Sequence, residues 1–409
     1  MNPHRQSVLC CLIAVLVLLP QGLAGGGEAP REASRPQPHF ILREHLSTYT
    51  GAGHDVPEPE EFDEVPIAFF GPGDPADPIA GDLWSAAQMG IEEANAEGGL
   101  RGRPFRLIPA WSDDPWGDGA AELARLVYDE PIWAILGSID GHTAHLAAQV
   151  VTTARLPLLS PASGDKTVNL ANVPWVYSLL PGDHLQAPVL AEALAEALEG
   201  GRLVVLSAGS HDARHFTRDL LAQLRGRRIT PRAHVTFREG TADLSEHVRF
   251  ALEARPDVVA LLADAADSAR LVRAVREAGF EGTVFGSATI GRRRFLAEAG
   301  EAAEGVVFPL LFEPSESARD FAAAFEARCG YPPDYAAAHT YDAARLLVAA
   351  VRSAGLNRAR INDAIRELAP FAGVTGTIDW DPLGDNTRPV VPATMRNGRP
   401  QPWPEPRSD

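Results

Sequence analysis

From Val65 onward, short apolar runs alternate with longer amphipathic stretches, and this alternation constrains the fold more than any other feature of the sequence. Short apolar runs are typical of strands that are buried on both faces, whereas the longer stretches have helical spacing. Strands that alternate with helices predict parallel sheets with crossover helices. The predicted fold class is therefore α/β.

The alternation occurs twice. The first series predicts strands at 65–70, 105–109, 133–136 and 157–159 and helices at 83–97, 120–129 and 142–154. After Pro181, the second series predicts helices at 187–198, 215–224, 244–254 and 268–278 and strands at 203–206, 232–237, 258–262 and 283–285. Helices at 317–329, 337–354 and 361–368 and a last strand pair at 377–380 and 390–394 follow. Because one core rarely serves more than about 300 residues, two doubly wound, Rossmann-like lobes are expected in this 409-residue chain.

The N-terminal region has a different composition. Residues 1–24 predict a secretory signal peptide, with an apolar run from Val8 to Leu19 that is too short for a membrane span and with small residues at a cleavage site. Residues 25–64 are rich in Gly, Pro, Glu and Arg without periodicity, which predicts an extended leader outside the fold. Removal of the signal leaves Cys329 as the lone cysteine, which excludes an intramolecular disulfide. The predicted location is the periplasm.

Charge and motifs narrow the function classes. The net charge of -17 repels phosphate backbones, so no nucleic-acid partner is expected. The sequence lacks a Gly-x-Ser-x-Gly elbow, a His-Glu-x-x-His motif and a phosphate-loop Lys. No catalytic residue and no cofactor are therefore predicted. An enzyme stays open as the less favoured alternative, since dispersed carboxylates sometimes form an acid–base pair without a sequence motif.

Short motifs in a fixed order carry a resemblance to a known family. They are GIEEAN at 90–95, GGLRG at 98–102, SDDP at 112–115, GS at 137–138, LSPAS at 159–163, PDVV at 256–259, YDA at 341–343, GVTGTIDWD at 373–381 and GD at 384–385. Over residues 65–397 the chain resembles the leucine/isoleucine/valine-binding family of solute-binding proteins for ABC transporters. Each motif is weak alone, and the order and spacing give the resemblance its specificity.

The resemblance implies the type I periplasmic-binding-protein fold, in which two lobes are joined by a three-strand hinge. The crossovers are expected near 180–181, 312–313 and 372–373. The predicted first lobe then contains 65–181 and 313–372, and the second contains 182–312 and 373–397. Residues 398–409 are expected to be a tail.

The resemblance places a ligand between the lobes. In the first lobe it implies contacts from the loops after the third and fourth strands, at Asp140, Gly141, His142, Thr143, Ala162, Ser163 and Gly164. Backbone N–H groups and small hydroxyls at helix starts bind anionic groups well. An alternative is that 160–165 only caps the next turn. Trp84 and Trp116 are expected at the rim of this lobe, although large aromatic residues serve equally often in a core.

In the second lobe, the implied positions are Asp212, Asp264 and Ala288. The family commonly has an acid that pairs with the ligand ammonium at the position of Ala288, and this chain lacks it. Either the two aspartates replace that acid or the ligand has no α-amino group. Ordinary turn and cap roles are the alternative for both aspartates.

Two spaced histidine pairs raise a competing possibility. His211 and His215 are four residues apart, and His142 and His145 are three apart, which places each pair on one helical face. A metal site needs further ligands, and such pairs commonly lie on solvated surfaces. No metal site is predicted.

The predicted function follows from these inferences. The chain is expected to be a monomeric, extracytoplasmic solute-binding protein that binds an amino acid or related small polar molecule. Its expected partner is the permease of an ABC transporter in the inner membrane. The alternative is an exported sensor or accessory protein that uses the same cleft.

Overall fold

The computed structural model describes residues 40–43 and 46–404. The predicted signal peptide at 1–24 and the first part of the predicted leader lie outside the described residues. Within the described ranges, no helix is both long enough and apolar enough to cross a membrane.

The described strands and helices follow the predicted alternation. The strands are β1 (Phe40–Arg43), β2 (Leu46–Tyr49), β3 (Val65–Phe70), β4 (Phe105–Ala110), β5 (Ile135–Gly137), β6 (Leu158–Ser160), β7 (Val176–Ser178), β8 (Leu203–Ala208), β9 (Ala233–Phe237), β10 (Val258–Leu262), β11 (Thr283–Gly286), β12 (Val307–Leu310), β13 (Phe371–Gly373), β14 (Gly376–Ile378), β15 (Val391–Arg396) and β16 (Arg399–Pro402). The α-helices are α1 (Gly81–Ala96), α2 (Ala120–Asp129), α3 (Gly141–Ala154), α4 (Thr167–Leu170), α5 (Asp183–Leu198), α6 (His211–Gly226), α7 (Ser245–Glu253), α8 (Ala265–Glu277), α9 (Arg293–Ala299), α10 (Arg319–Cys329), α11 (Tyr335–Ala354) and α12 (Arg358–Glu367).

Two separate sheets form the two lobes, which confirms the predicted fold class. The first sheet is parallel, in the order β4-β3-β5-β6-β7. The second has the parallel order β9-β8-β10-β11-β12 and continues with the antiparallel strands β15 and β16. Both lobes therefore share one strand order, in which the first strand lies between the second and the third.

Alternating side chains of the central strands build a core on each face of a sheet. In β3, Ile67 and Phe69 belong to the core beneath α1 and α11, while Ala68 and Phe70 belong to the core beneath α2 and α3. All of β3 is buried, because helices cover both faces of a parallel sheet. This burial explains why its sequence is continuously apolar.

Three crossovers connect the lobes, and they lie side by side. The first follows β7, the second follows β12 and the third precedes β15. The Asn386 side-chain amide donates to the Leu179 carbonyl at 2.7 Å, which joins the third crossover to the first. The Arg388 guanidinium donates to the Leu311 carbonyl at 2.6 Å, which joins the third to the second.

The third crossover is later in the chain than the sequence predicted. Residues 371–386 stay on the first lobe, where the Asp342 carboxylate accepts N–H bonds from Val374 and Thr375 at 2.8 and 2.9 Å. Trp380 is in the core of that lobe and donates to the Ile365 carbonyl at 3.1 Å. The expected crossing at 372–373 is therefore wrong, because a buried aspartate and a buried tryptophan hold this segment.

The structure also corrects the final strand pair. Residues 376–378 form a hairpin with β13, whereas β15 pairs with β12 and β16. The expected tail begins with β16, and Trp403 packs edge-on against Phe285 with ring centroids 5.9 Å apart. The chain through residue 404 is therefore part of the second lobe.

Part of the predicted leader packs on the first lobe. Tyr49 is buried against Trp175, with ring centroids 4.5 Å apart. The Asn357 amide donates to the carbonyls of Gly53 and Val56 at 2.8 Å each. The prediction that residues 48–64 lie outside the fold is therefore wrong, because this segment packs on the first lobe. This segment attaches through single anchoring groups, so it leaves no periodic pattern in the sequence.

Candidate functional site

A cavity of about 350 Å³ lies between the lobes, at the carboxyl ends of both sheets. Ligand pockets in proteins usually have volumes of about 300–1,000 Å³, so the space suits a small molecule. The loops that line the cavity include those that follow the first and third strands of each sheet. The strand order reverses between these two strands, and open α/β sheets bind ligands at such a point. The cavity is therefore the candidate site.

The first lobe contributes the start of α3 to the cavity. Asp140 caps this helix by accepting the Thr143 N–H at 2.7 Å, and the Thr143 hydroxyl accepts the Asp140 N–H at 3.3 Å. This reciprocal pair fixes the turn that carries Asp140 and His142 into the cavity lining. The next loop brings Ala162 and Gly164 to the same cavity.

The second lobe contributes the starts of α6 and α8. Asp212 lies in the first turn of α6 and accepts the Gly141 N–H from the other lobe at 3.0 Å. Asp264 caps α8 by accepting the Asp267 N–H at 2.7 Å. Asp264 therefore caps a helix and also lines the cavity, so one role does not exclude the other.

Carboxylates dominate the polar lining of the cavity. They are Asp140, Asp183, Asp212, Glu239 and Asp264. Burial, together with repulsion from Asp140, raises the pKa of Asp212 to about 7. Burial and neighbouring acids also raise the pKa values of Asp183, Glu239 and Asp264. These acids therefore oppose one another's ionisation, and a cationic group among them would favour their charged forms.

Arg292 and Arg294 are the arginines of the lining, and Arg292 already has partners. It extends from the second lobe to Asp82 and Asp334 of the first, at 3.0 and 2.8 Å, and donates to the Ile79 carbonyl at 2.8 Å. Burial favours the neutral guanidinium, but the two aspartates outweigh it and raise the Arg292 pKa. Arg292 thus joins the lobes, and its charge is paired with Asp82 and Asp334 rather than with the carboxylates of the cavity.

A second group of polar contacts joins the lobes next to the cavity. The Asp165 carboxylate of the first lobe lies 2.7 Å from His211 Nε2 and 3.4 Å from His215 Nδ1 of the second. His145 Nε2, on α3, lies 3.0 Å from the same carboxylate. Burial alone would raise the pKa of Asp165, but hydrogen bonds from His145, His211 and Thr167 outweigh it and hold the pKa well below its ordinary value.

The structure places the predicted site residues unequally. Seven line the cavity, namely Asp140, His142, Ala162, Gly164, Asp212, Asp264 and Ala288. Gly141 lies beside it and donates to Asp212, while Thr143 and Ser163 are buried and bond within their own turns. Trp84 is a core residue against Phe69, with ring centroids 5.1 Å apart, so its expected rim position is wrong. The side chain of Trp116 lies outside the described part of the chain.

Several lining residues were not predicted. They include Ile79, Leu180, Asp183, His211, Glu239, Arg292, Leu311 and Tyr335. Leu180 and Leu311 belong to the first two crossovers and pack with Ala288 beneath the cavity. Asp183 starts the helix that follows the first crossover, and Tyr335 starts α11. A search of helix starts next to each crossover would have found Asp183.

Comparisons with known proteins give one consistent result. A family model described as periplasmic binding protein matches residues 68–399. The leucine-, isoleucine-, valine-, threonine- and alanine-binding protein of Pseudomonas aeruginosa is 22% identical over 333 residues, which are 79% of this chain and 87% of that protein.

Solved structures give the same fold. A leucine-binding protein from Thermotoga maritima has a TM-score of 0.74 at 23% identity, over 83% of this chain and 97% of the other. A branched-chain amino acid transporter substrate-binding protein from Streptococcus pneumoniae, in complex with isoleucine, has a TM-score of 0.74 at 21% identity, over 83% of this chain and 98% of the other. At these identities the likeness is one of fold.

Proposed function

Because this chain belongs to the periplasmic binding protein family, we propose that it binds an amino acid between its lobes and delivers it to the permease of an ABC transporter. The family match confirms the resemblance that the sequence motifs predicted. Export by the N-terminal segment and action in the periplasm are parts of the same proposal. One named relative is a leucine-, isoleucine-, valine-, threonine- and alanine-binding protein and another is in complex with isoleucine, which supports this ligand class.

The observation that carries the proposal is the division of chemistry across the cavity. The first lobe presents the N-terminal turn of α3, where the helix dipole favours a carboxylate and the N–H groups of Gly141 and Thr143 already donate to the carboxylates of Asp212 and Asp140. The second lobe presents Asp212, Glu239 and Asp264, which favour an ammonium group. An α-amino acid carries both groups at a fixed separation. The acid that is missing at Ala288 is thus replaced by acids on neighbouring loops.

Closure of the lobes supplies the signal for transport. A ligand shifts an open–closed equilibrium only when it binds the closed form better, so its contacts must come from both lobes. Leu180 and Leu311 line the cavity and lie in the crossovers, so a side chain of the ligand placed there touches the hinge itself. An apolar side chain suits these two leucines.

The test is calorimetric titration of the purified chain with the common amino acids and, for each that binds, with its analogue lacking the α-amino group. We expect at least one amino acid to bind, and we expect its analogue to bind at least about tenfold more weakly because the buried acids then stay unpaired. Equal affinity for the two would refute a role for the ammonium group. Absence of binding by every amino acid would refute the ligand class.

Ala162→Trp is the matching variant, because Ala162 lines the cavity and an indole there fills it. We expect this variant to lose binding while it keeps its circular dichroism spectrum. Ala171→Trp is the control, since Ala171 is exposed on the same lobe. Binding that survives Ala162→Trp would place the ligand elsewhere.

The acids also predict a pH dependence. Burial, with repulsion from Asp264, Asp267 and Asp140, raises the pKa of Glu239 above its ordinary value, so this carboxyl takes up its proton at a higher pH than an exposed glutamate does. Only the ionised form attracts an ammonium group, and affinity should therefore rise as the pH rises through the raised pKa. Titrations of the wild type and Glu239→Gln between about pH 4.5 and 8 check this. The variant should show the shallower pH profile.

A further inference from the structure

Four histidines and one aspartate meet where the lobes touch, although the sequence shows only two separate pairs. His142 and His145 come from α3 of the first lobe, and His211 and His215 come from α6 of the second. The rings of His211 and His215 stack at 4.3 Å, and the ring of His145 lies 5.4 Å from that of His211. The expected solvated placement of both pairs is therefore wrong, since they face each other across the cleft.

We propose that His145, Asp165 and His211 form a binding site for a transition-metal ion of the Zn²⁺ class, which holds the two lobes together. The donor atoms of these three residues all lie within 4.8 Å of one another. His145 Nε2 and His211 Nε2 both approach Asp165 Oδ2, at 3.0 and 2.7 Å. Ligand atoms of a tetrahedral zinc site lie roughly 3.3 Å apart. Small outward movements of the two rings therefore create the coordination space.

The surroundings of Asp165 resemble the outer shell of a metal site. Its side chain is 1% exposed, and Oδ1 accepts the Thr167 N–H and hydroxyl at 2.9 and 2.7 Å. This leaves Oδ2 directed at the two imidazoles. Ligating carboxylates are usually oriented by such hydrogen bonds, which fix the ligand before the ion arrives. Asp165 is thus held in one orientation by its own lobe.

The donor set also selects the ion. Two imidazole nitrogens and one carboxylate oxygen suit Zn²⁺, Cu²⁺, Co²⁺ or Ni²⁺, whereas Mg²⁺ and Ca²⁺ require mostly oxygen ligands. His215 Nδ1, at 3.4 Å from Asp165 Oδ1, or a water molecule completes a tetrahedron. The ligands of this site come from both lobes, so the ion binds only when the lobes are closed. It therefore stabilises the closed form by a free energy that grows with the logarithm of the ion concentration divided by Kd.

The test uses the full chain after treatment with a chelator, titrated calorimetrically with ZnCl₂ in the absence of any amino acid. The wild type should bind Zn²⁺, and His145→Ala and His211→Ala should each bind it at least about tenfold more weakly. His247→Ala is the matched control, because His247 lies on α7, away from the cluster, and should leave Zn²⁺ binding unchanged. Circular dichroism shows whether each variant is folded. If one of the two ligand variants does not fold, the other one alone tests the site.

Three results would overturn the proposal. They are no Zn²⁺ binding by the wild type, unchanged binding by both ligand variants, and equal competition by MgCl₂. Small-angle scattering adds a readout of closure, since Zn²⁺ should lower the radius of gyration of the wild type and leave that of His211→Ala unchanged. A chain that binds Zn²⁺ but no amino acid would support this site and refute the proposed transport ligand, so the two proposals fail separately.

Discussion

Two groups of side chains bridge the lobes beside the cavity, and their chemistry differs. At one, Arg292 of the second lobe lies between Asp82 and Asp334 of the first. At the other, Asp165 of the first lobe lies among imidazoles, two of them from the second. A guanidinium stays charged at any pH that proteins experience, whereas imidazoles exchange protons and bind metal ions. The cation of the first bridge therefore keeps its charge, whereas the imidazoles of the second bridge can take up protons or metal ions from the solution.

Among the substitutions at the contacts between the lobes, loss of Arg292 should have the largest effect on closure. Arg292→Met leaves Asp82 and Asp334 without a counter-ion in the closed form, and a buried pair that loses one partner is destabilised by about 3–5 kcal/mol. Opening of the lobes returns both acids to water, so the variant should be mostly open. Small-angle scattering of the ligand-free protein should show a larger radius of gyration than for the wild type.

Arg249→Met is the control for that substitution, because Arg249 forms an exposed pair with Glu253 within one helix. It should scatter like the wild type. If Arg292→Met also scatters like the wild type, then the imidazole bridge alone holds the lobes together and contributes more to closure than the Arg292 bridge does.

A smaller effect is expected at Gly141, whose N–H donates to Asp212 of the other lobe on the imidazole side. A Cβ atom there would lie 2.5 Å from Asp212 Oδ1 and 2.7 Å from Asp165 Cβ. Gly141→Ala should therefore weaken closure by about 1–3 kcal/mol, as overpacking does elsewhere. The ligand that the calorimetric screen identifies should bind about tenfold more weakly.

Gly226→Ala provides the comparison, since a Cβ atom at this position meets open space. It should bind ligand like the wild type. Equal binding by Gly141→Ala would mean that α6 yields at this point and that the imidazole bridge is loosely packed.

The smallest effect is expected from Lys166, which pairs with Asp219 of the other lobe at 2.6 Å. Both side chains are partly exposed, so the pair contributes up to about 1 kcal/mol and is weakened by salt. Lys166→Met should weaken ligand binding a few-fold at low ionic strength and by less in about 0.5 M NaCl. Arg125→Met, which removes a surface pair within the first lobe, should have no effect in either buffer. A salt-independent loss would mean that Lys166 acts by packing.

The sequence predicted the lobes well because each buried strand carries its own signal. Residues 65–70 and 258–262 are continuous apolar runs, and the structure has strands with the same bounds. Two of the parallel strands, β7 and β12, were missed for physical reasons. Residues 176–178 are too few to show a period, and β12 has only four residues.

The candidate site was predicted in part. The series located the loops at strand ends, and the family resemblance implied Asp140, Ala162, Asp212 and Asp264, which line the cavity. Contacts between the lobes could not be predicted from the sequence, because they depend on how two separate cores are oriented. His145 and His211 are far apart in the chain, and nothing local to either histidine indicates that both would meet Asp165. Arg292 was missed for the same reason.

The three crossovers have a mechanical consequence. A single linker would let one lobe rotate about any direction relative to the other. Here, bonds from Asn386 to Leu179 and from Arg388 to Leu311 tie three linkers into one ribbon. A ribbon bends readily about the line across it and resists twisting, so the lobes retain one easy degree of freedom. Each return along that path brings the same surfaces into register, so a partner that recognises the closed form needs to distinguish only two shapes.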